Sequence, residues 1–192
     1  MKIREYFNKT KGEYGNIINK YNKSNQRFDH LFVKRLASGK YINYSTIIKI
    51  GDDKYRSYMD GDFGIVIKNT IPLCIVSFYI ENNALNVVQI QGAKNVIKNG
   101  EFTTLSGRDL YKIDWKNALV EMVEKFAVDT NKMEISDGGN PITIKEVRIQ
   151  PAENNWWIEY GVVTPKQLKP KYDEVAEARG YERIGEWFVK KL

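Results

Sequence analysis

The sequence predicts an α+β domain in which helices flank a central mixed, mostly antiparallel sheet. Three β-rich runs joined by tight links, at residues 63–68, 73–80 and 85–91, are typical of an antiparallel meander. A helix with one apolar face follows at residues 114–130. The strand predicted at residues 144–150 is therefore reached through a helix crossover, so we expect it to run parallel to the third strand of the meander.

The bulk composition is that of an ordinary globular chain. It has 192 residues, of which 42% are hydrophobic and 28% are charged, and this length suits one domain over residues 1–192. The net charge of +6 would assist binding of an anionic cofactor or of nucleic acid without identifying either. Because no run approaches the roughly twenty apolar residues of a membrane span and residues 1–5 lack a signal-peptide core, we expect no membrane partner and a cytoplasmic location.

Cysteine and histidine each occur once. Cys74 lies in an apolar run, and we predict that it is a small buried hydrophobe and not a reactive thiol. A single cysteine excludes an internal disulfide and fits a reducing compartment. We interpret His30 as structural or exposed, and one histidine with one cysteine argues against a His/Cys zinc site and against a histidine-dependent triad.

Residues 1–40 are predicted to form basic N-terminal helices. Apolar residues recur at helical spacing up to Tyr21, with Gly12 and Gly15 dividing the segment into two pieces, and residues 28–37 are predicted to form a further helix. We expect these helices to cover the sheet. A basic, tyrosine-rich surface for RNA or DNA is the alternative.

Residues 41–192 are predicted to supply the sheet and the remaining helices. Beyond the elements above, we expect a strand at 41–50, an irregular loop at 95–110, a turn at 137–141, a helix at 171–179 and a closing β segment at 181–192.

This order of elements resembles the GNAT acetyltransferase superfamily from about residue 40 to the C-terminus. The most specific match is the end of the chain. Asn154 follows the strand at residues 146–150, and a helix then leads to Gly180-Tyr181, where the family commonly has a Gly-Phe pair opening its last strands. The strand at residues 85–91 matches the family's fourth strand, and the helix from Asp114 matches the helix that carries the cofactor pyrophosphate.

The resemblance implies transfer of an acetyl group from acetyl-CoA to an amine, either a small molecule or a protein lysine, by direct attack. The strand at residues 85–91 and its parallel neighbour would splay apart, so that the pantetheine amides bind the opened strand edge. A backbone N–H near Val88 or Gln89 would polarise the thioester carbonyl. The cofactor-binding residues that we predict on this basis are Val87, Val88, Gln89, Ile90, Gln91, Gly107, Arg108 and Asn154.

The phosphate-binding loop departs from the family pattern. That loop usually reads Gln or Arg, two residues, Gly, any residue, then Gly or Ala, and it joins strand to helix directly. Residues 89–93 echo it in part, but a long segment then precedes Asp114. Residues 106–108 are the other place where backbone N–H groups and a cation meet, and Arg108 is the predicted phosphate contact because its guanidinium offers two donors.

The proton-transfer residues depart as well. The family's frequent general acid is a tyrosine four residues before the glycine of the last motif, where this chain has Ala176. Tyr172 lies one turn earlier on the same helical face and is the predicted proton donor. Among Glu81, Glu153 and Glu159, which spacing does not separate, we assign Glu153 as the predicted base.

Two other functions fit the same sequence. The long loop and the missing tyrosine favour a catalytically silent protein of this fold that binds a macromolecule, for example a phage or mobile-element factor, since a fold does not fix an activity. A nucleic-acid-binding protein using the basic N-terminal region is the third possibility.

Overall fold

An eight-stranded sheet, antiparallel except for one pair of strands, organises the chain and confirms the predicted α+β class. The computed structural model describes residues 1–35, 41–43, 59–69, 72–92, 97–98, 101–102, 109–155, 158, 161 and 163–192. The strands of this sheet are β1 (Asp29–Arg35), β2 (Tyr41–Asn43), β3 (Phe63–Lys68), β4 (Pro72–Glu81), β5 (Ala84–Gly92), β10 (Glu146–Ile149), β11 (Glu182–Ile184) and β12 (Trp187–Lys191). Their spatial order is β11-β12-β10-β5-β4-β3-β1-β2.

Two small hairpins lie outside the sheet. They are β6 (Ile97–Lys98) with β7 (Glu101–Phe102), and β8 (Ser136–Asp137) with β9 (Asn140–Pro141). The second hairpin confirms the predicted turn: Gly138 and Gly139, between its strands, have φ of 59° and 91°, values that favour glycine. The first hairpin lies in the segment that we predicted to be irregular, so that prediction was wrong for its four residues, which pair as strands.

The helices are α1 (Ile3–Lys9), α2 (Lys11–Tyr21), α3 (Trp115–Lys132), α4 (Pro165–Leu168) and α5 (Asp173–Ala178), with a 3₁₀ turn at Ala152–Asn154. No helix among the described ranges combines the length and the apolarity needed to cross a membrane.

The predicted meander and crossover are both present. β3, β4 and β5 pair antiparallel in sequence order, and α3 leads from β5 towards β10. β10 then pairs parallel to β5, from Glu146 opposite Ala84 to Ile149 opposite Val87. A strand that returns to its own sheet through a helix runs parallel to the strand it left, which is why the order of elements was enough to predict this pair.

The two faces of the sheet are filled differently. One face packs against α1, α2 and α3 and holds the main core, with Tyr6, Phe78 and Phe126 among its fully buried side chains. The other face, which we call the second face, holds a smaller apolar cluster of Val33, Met59, Val66 and Ile75.

The prediction of a third N-terminal helix at residues 28–37 was wrong. The described part of that segment is strand β1, which pairs with β3 from Asp29 opposite Lys68 to Lys34 opposite Phe63. Phe32 packs in the main core and Val33 packs in the cluster on the second face. Because both faces of this strand are buried, its apolar residues are contiguous, and such a run cannot be distinguished from a buried helix by periodicity.

The N-terminal helical segment divides into two pieces as predicted, but not at its glycines. The break is at Thr10, whose N–H donates to the Tyr6 carbonyl at 2.9 Å while its hydroxyl donates to the same oxygen at 2.8 Å. Gly12 and Gly15 lie inside α2. The strand predicted at 41–50 is present at Tyr41–Asn43, and residues 44–50 lie outside the described residues.

Candidate functional site

The two parallel strands separate halfway along β5. Their pairing ends at Ile149 opposite Val87, and the last bond of the ladder is donated by the Gln150 N–H to the Val87 carbonyl at 3.0 Å. Pro151 follows, which has no N–H to donate, and the 3₁₀ turn leads the chain away from the sheet. β5 itself continues to Gly92. A wedge therefore opens between the two strands beyond Val87.

A bulge in β5 lies beside this wedge. Ser77 of β4 pairs with Gln89, whereas the next residue, Phe78, pairs with Val87, so that Val88 has no opposite residue on β4. An extra residue of this kind re-aims the local backbone and interrupts the ladder. The bulge falls on Val88, one of the two positions, with Gln89, at which we predicted an N–H directed at a thioester carbonyl.

The side chain of Tyr172 occupies the wedge. Its hydroxyl oxygen accepts a hydrogen bond from the Ile90 N–H at 3.0 Å and a second from Asn155 Nδ2 at 3.2 Å. Tyr172 is 3% exposed and Asn155 is 2% exposed. Burial raises the pKa of Tyr172 to about 12, so the phenol is protonated at neutral pH.

Three contacts fix Tyr172 in this position. The Ala176 N–H donates to the Tyr172 carbonyl at 2.9 Å, which places both residues one turn apart on the same buried side of α5, as the sequence predicted. The Ala152 N–H donates to Asp173 Oδ1 at 2.8 Å and ties the start of α5 to the 3₁₀ turn. At the other end of α5, Arg179 bridges to Glu124 of α3.

A polar cavity of about 440 Å³ lies next to the wedge. It is lined by Gln150, Glu153, Asn154, Asn155, Ile158, Glu186 and Trp187. Asn155 reaches both places, because it lines the cavity and donates to the Tyr172 hydroxyl. The wedge and the cavity therefore share one wall.

Two of the predicted residues line that cavity. Asn154 donates from its side-chain amide to the Glu186 carbonyl at 3.1 Å. Glu153 is half exposed and its carboxylate lies 3.0 Å from a guanidinium nitrogen of Arg183. An exposed ion pair of this kind contributes little to stability, on the order of 1 kcal/mol or less, so Glu153 remains accessible to a ligand.

The remaining predicted residues divide into three groups. Gln89 and Gln91 are joined by a hydrogen bond of 2.8 Å between their amides, away from the wedge on the second face. Glu81 is exposed at the hairpin between β4 and β5. It pairs with Ala84 at the start of β5, whereas Ile90 lies near the other end of that strand. The residues Gly107, Arg108 and Glu159 lie outside the described residues.

The far end of β5 approaches the N-terminus of α3. A Cβ added to Gly92 would lie 3.3 Å from Leu110 and 3.9 Å from Trp115, so the strand end packs against the start of the helix. Lys116 in the first turn donates to the Pro170 carbonyl at 2.8 Å. The pKa of Lys171 is lowered by its burial and by the nearby charge of Lys116, and α3 has no acidic residue in its first turn.

The carboxylates near this helix end are already engaged. Asp109 accepts hydrogen bonds from Lys112, Gln26 and Asn69. Although burial opposes it, these bonds, with that of Lys112 the strongest, hold the pKa of Asp109 below its usual value. Asp114 accepts from Asn117 Nδ2 at 2.9 Å.

Sequence reasoning did not identify Asn155 or Lys171. The GNAT-like motif directed attention to Asn154, and its neighbour differs only in facing inward from the 3₁₀ turn, which no local pattern reveals. Lys171 is one of many lysines in the sequence, and its position beside α3 depends on contacts distant in the chain.

Comparison of the chain with family models, with curated proteins and with solved structures finds no match.

Proposed function

We propose that this protein is an acyl-CoA-dependent N-acetyltransferase of the GNAT type. The observation that carries the proposal is the wedge beyond Val87, where the Ile90 N–H is bonded to a side chain and not to a neighbouring strand. A strand edge without a neighbouring strand can bind an extended amide-containing ligand as an added strand would, once the side chain that covers it moves aside. The pantetheine arm of acetyl-CoA has that chemistry.

The binding path follows β5 from the wedge to α3. The pantetheine arm would take over the Ile90 N–H, with Tyr172 and Asn155 moving aside or sharing the contact. The pyrophosphate would then lie at the N-terminus of α3, where free N–H groups and the helix dipole favour an anion. Lys116 and Lys171 add positive charge at that point.

The chemistry needs few special groups. The bulged backbone at Val88 would supply an N–H to the carbonyl oxygen as negative charge develops on it. The amine nitrogen forms its bond to the carbonyl carbon, and the C–S bond then breaks to release the coenzyme thiolate, which is a fair leaving group because a thiol has a pKa near 8.5. Tyr172 is protonated at neutral pH and would be the proton donor to that sulfur.

Two ligand experiments test this function. Acetyl-CoA at about 100 times its dissociation constant should stabilise the protein by about 2.7 kcal/mol, which corresponds to a rise of roughly 5–10 °C in Tm for a chain of this size. Spermidine and Nα-acetyl-lysine amide, as acceptor probes, should then release free coenzyme A thiol. If neither acetyl-CoA nor CoA at millimolar concentration changes Tm, the proposal is rejected.

One observation favours the second candidate, a silent protein of this fold that binds a macromolecule. The wedge is filled by Tyr172 and Asn155, both buried and hydrogen-bonded. If that packing is permanent, no coenzyme shift will be seen and the fold serves as a scaffold. For nucleic-acid binding we find no support in the N-terminal helices, where Tyr6 and Tyr14 are fully buried and cannot stack on bases.

We propose the reducing cytoplasm as the location. Cys74 is a free cysteine buried in β4, and burial raises the pKa of its thiol, which leaves it unreactive as the sequence suggested.

A further inference from the structure

The polar cavity beside the wedge lies between two turns that are bonded to each other. One is the 3₁₀ turn at Ala152–Asn154, and the other is the turn between β11 and β12. Asn154 donates to the Glu186 carbonyl at 3.1 Å, and the carboxylate of Glu153 lies 3.0 Å from a guanidinium nitrogen of Arg183. These contacts hold the turns together beside a cavity of about 440 Å³, a volume within the range of small-molecule sites.

The lining of this cavity has carboxylates and no cation of its own. The described lining residues include no lysine or arginine, whereas Glu153 and Glu186 are both among them. Arg183 already offsets the charge of Glu153. Glu186 is exposed, and within the described part of the chain its carboxylate has no hydrogen bond or ion pair. The cavity therefore complements a cation that donates N–H groups.

Two apolar side chains belong to the same lining. Ile158 and Trp187 are both partly buried and lie among the polar residues of the cavity. An indole ring attracts a cation over its face, and an aliphatic chain gains free energy by covering either side chain. A ligand that joins an ammonium group to a short hydrocarbon chain fits both parts of the lining.

The chain around the cavity is acidic, although the protein as a whole is basic. Residues 173–186 contain five carboxylates and two arginines, whereas the whole chain has a net charge of +6. Both arginines are engaged, since Arg179 is paired with Glu124 of α3 and Arg183 is paired with Glu153. A local excess of negative charge raises the concentration of cations near the cavity.

The cavity lies next to the place where the proposed thioester would react. Asn155 lines the cavity and donates to the Tyr172 hydroxyl at 3.2 Å. Gln150 also lines the cavity, and its backbone N–H donates to the Val87 carbonyl at 3.0 Å. The bulged residue, Val88, follows Val87 directly. A single residue therefore separates the cavity from Tyr172 on one side and from β5 on the other.

We propose that this cavity binds the non-reacting ammonium group of a diamine whose other amino group is acetylated, an inference that rests on the proposed acetyltransferase function. The usual pKa of such an ammonium group is about 10.4, and a carboxylate beside it raises that pKa further. The amine held by Glu186 therefore stays protonated, and a protonated nitrogen has no lone pair with which to attack the thioester. The cavity thus selects the substrate by the end that does not react.

The other nitrogen carries out the transfer. It gives one proton to water, its lone pair forms the C–N bond, and the C–S bond breaks. The thiolate takes a proton from Tyr172, and the second nitrogen proton replaces it. The products are coenzyme A thiol and a monoacetylated diamine, which keeps its positive charge at the end that the cavity holds.

Calorimetric titration with 1,4-diaminobutane and with butylamine tests this assignment. The two amines share the same carbon chain, and butylamine has a methyl group in place of the second ammonium. We expect wild type to bind 1,4-diaminobutane about tenfold more tightly, the effect of one charge-assisted contact of about 1.4 kcal/mol. Glu186→Gln should remove this preference, because the amide keeps the size of the side chain without its charge.

Glu182→Gln is the matched control. Glu182 is exposed on β11 of the same hairpin but does not line the cavity, so the preference should persist in this variant. Both substitutions are at exposed positions, and the Tm of each variant shows whether its fold is intact. The ratio of kcat/KM for the two amines should follow the same pattern as the binding preference.

The remaining outcomes contradict the inference. Equal binding of the two amines to wild type would overturn it, as would a preference that persists in Glu186→Gln. The Tm shift with acetyl-CoA, measured on the same samples, separates the two proposals. A normal shift without an amine preference removes the diamine and leaves the acetyltransferase function. A preference without any shift removes the acetyltransferase function and, with it, the substrate role of the cavity.

Discussion

The hydroxyl of Tyr172 accepts a hydrogen bond from the backbone N–H of Ile90, 82 residues earlier in the chain, at 3.0 Å. This single contact takes the place of a strand-to-strand bond at the point where β5 and β10 part. It satisfies a buried N–H that would otherwise be costly, and it does so with a side chain instead of a neighbouring strand. The same contact therefore stabilises this part of the fold, and it lies where the proposed coenzyme would bind.

Tyr172→Phe should lower turnover without unfolding the protein. The phenyl ring keeps the packing in the wedge, but the Ile90 N–H and the Asn155 amide lose the oxygen that they share. Leaving buried donors unpaired costs about 1–3 kcal/mol, so Tm should fall by several degrees while the protein remains folded. We expect turnover with spermidine to fall about 10²-fold, as for a lost proton-transfer partner. Turnover equal to wild type would show that Tyr172 is not the proton donor.

Arg108→Ala should weaken binding of acetyl-CoA. A guanidinium binds phosphate through two donors, and its loss should raise Kd about tenfold, or about 1.4 kcal/mol. The measurement is the Kd of acetyl-CoA, obtained from the rise of Tm with ligand concentration or from the heat of binding. Lys132→Ala, at the opposite end of α3, is the control. An unchanged Kd would remove Arg108 from the phosphate site and leave Lys116 and Lys171 as the cations beside the helix.

Much of the fold was predictable because it depends on local periodicity and on connection rules. The meander of β3, β4 and β5 follows from β-rich runs with tight turns, and α3 follows from its apolar stripe. The parallel pairing of β10 needs only the handed crossover through that helix. β1 could not be predicted in the same way, because burial on both faces removes the alternation that identifies a strand.

The site was predictable only in outline. The GNAT-like order of elements pointed to Tyr172 and to the part of β5 beyond Val87, and these do meet in the structure. The position of Asn155 against the Tyr172 hydroxyl could not be predicted from the sequence, because it depends on contacts that the fold creates. Local patterns identify which face of an element is buried, but they do not identify which buried polar groups meet.

Gly61→Ala should destabilise the protein, whereas Gly12→Ala should stabilise it. At Gly61 the new methyl group would meet the Phe78 backbone at 2.5 Å, and strand backbone cannot move aside cheaply, so we expect a loss of about 1–3 kcal/mol. At Gly12, inside α2, an added Cβ would meet no described atom within 4 Å apart from the helix's own backbone. Alanine should therefore add about 0.5–1 kcal/mol through its higher helix propensity. The measurement is the unfolding free energy of each variant and of wild type, obtained by urea denaturation. Equal effects of the two substitutions would contradict the close packing of Gly61 on the backbone of β4.

Stability should fall below neutral pH because of His30. This side chain is buried against Tyr14 and Phe32, and burial lowers its pKa from 6.5 to about 4, with Asp29 opposing and Lys11 assisting the shift. Between pH 6.5 and pH 4, His30 therefore binds a proton in the unfolded chain but not in the folded chain. Stability is lost as the pH falls through this range.

The loss of unfolding free energy attributable to His30 should reach about 3 kcal/mol at pH 4. This figure follows from the difference between the folded and unfolded pKa values, since each pKa unit corresponds to about 1.36 kcal/mol. Carboxylates also titrate in this range, so the measurement is the unfolding free energy of wild type minus that of His30→Phe at each pH. The variant keeps an aromatic ring in the core without a titrating group. A difference that stays constant from pH 7 to 4 would mean that His30 is solvated, which the packing of its ring between Tyr14 and Phe32 argues against.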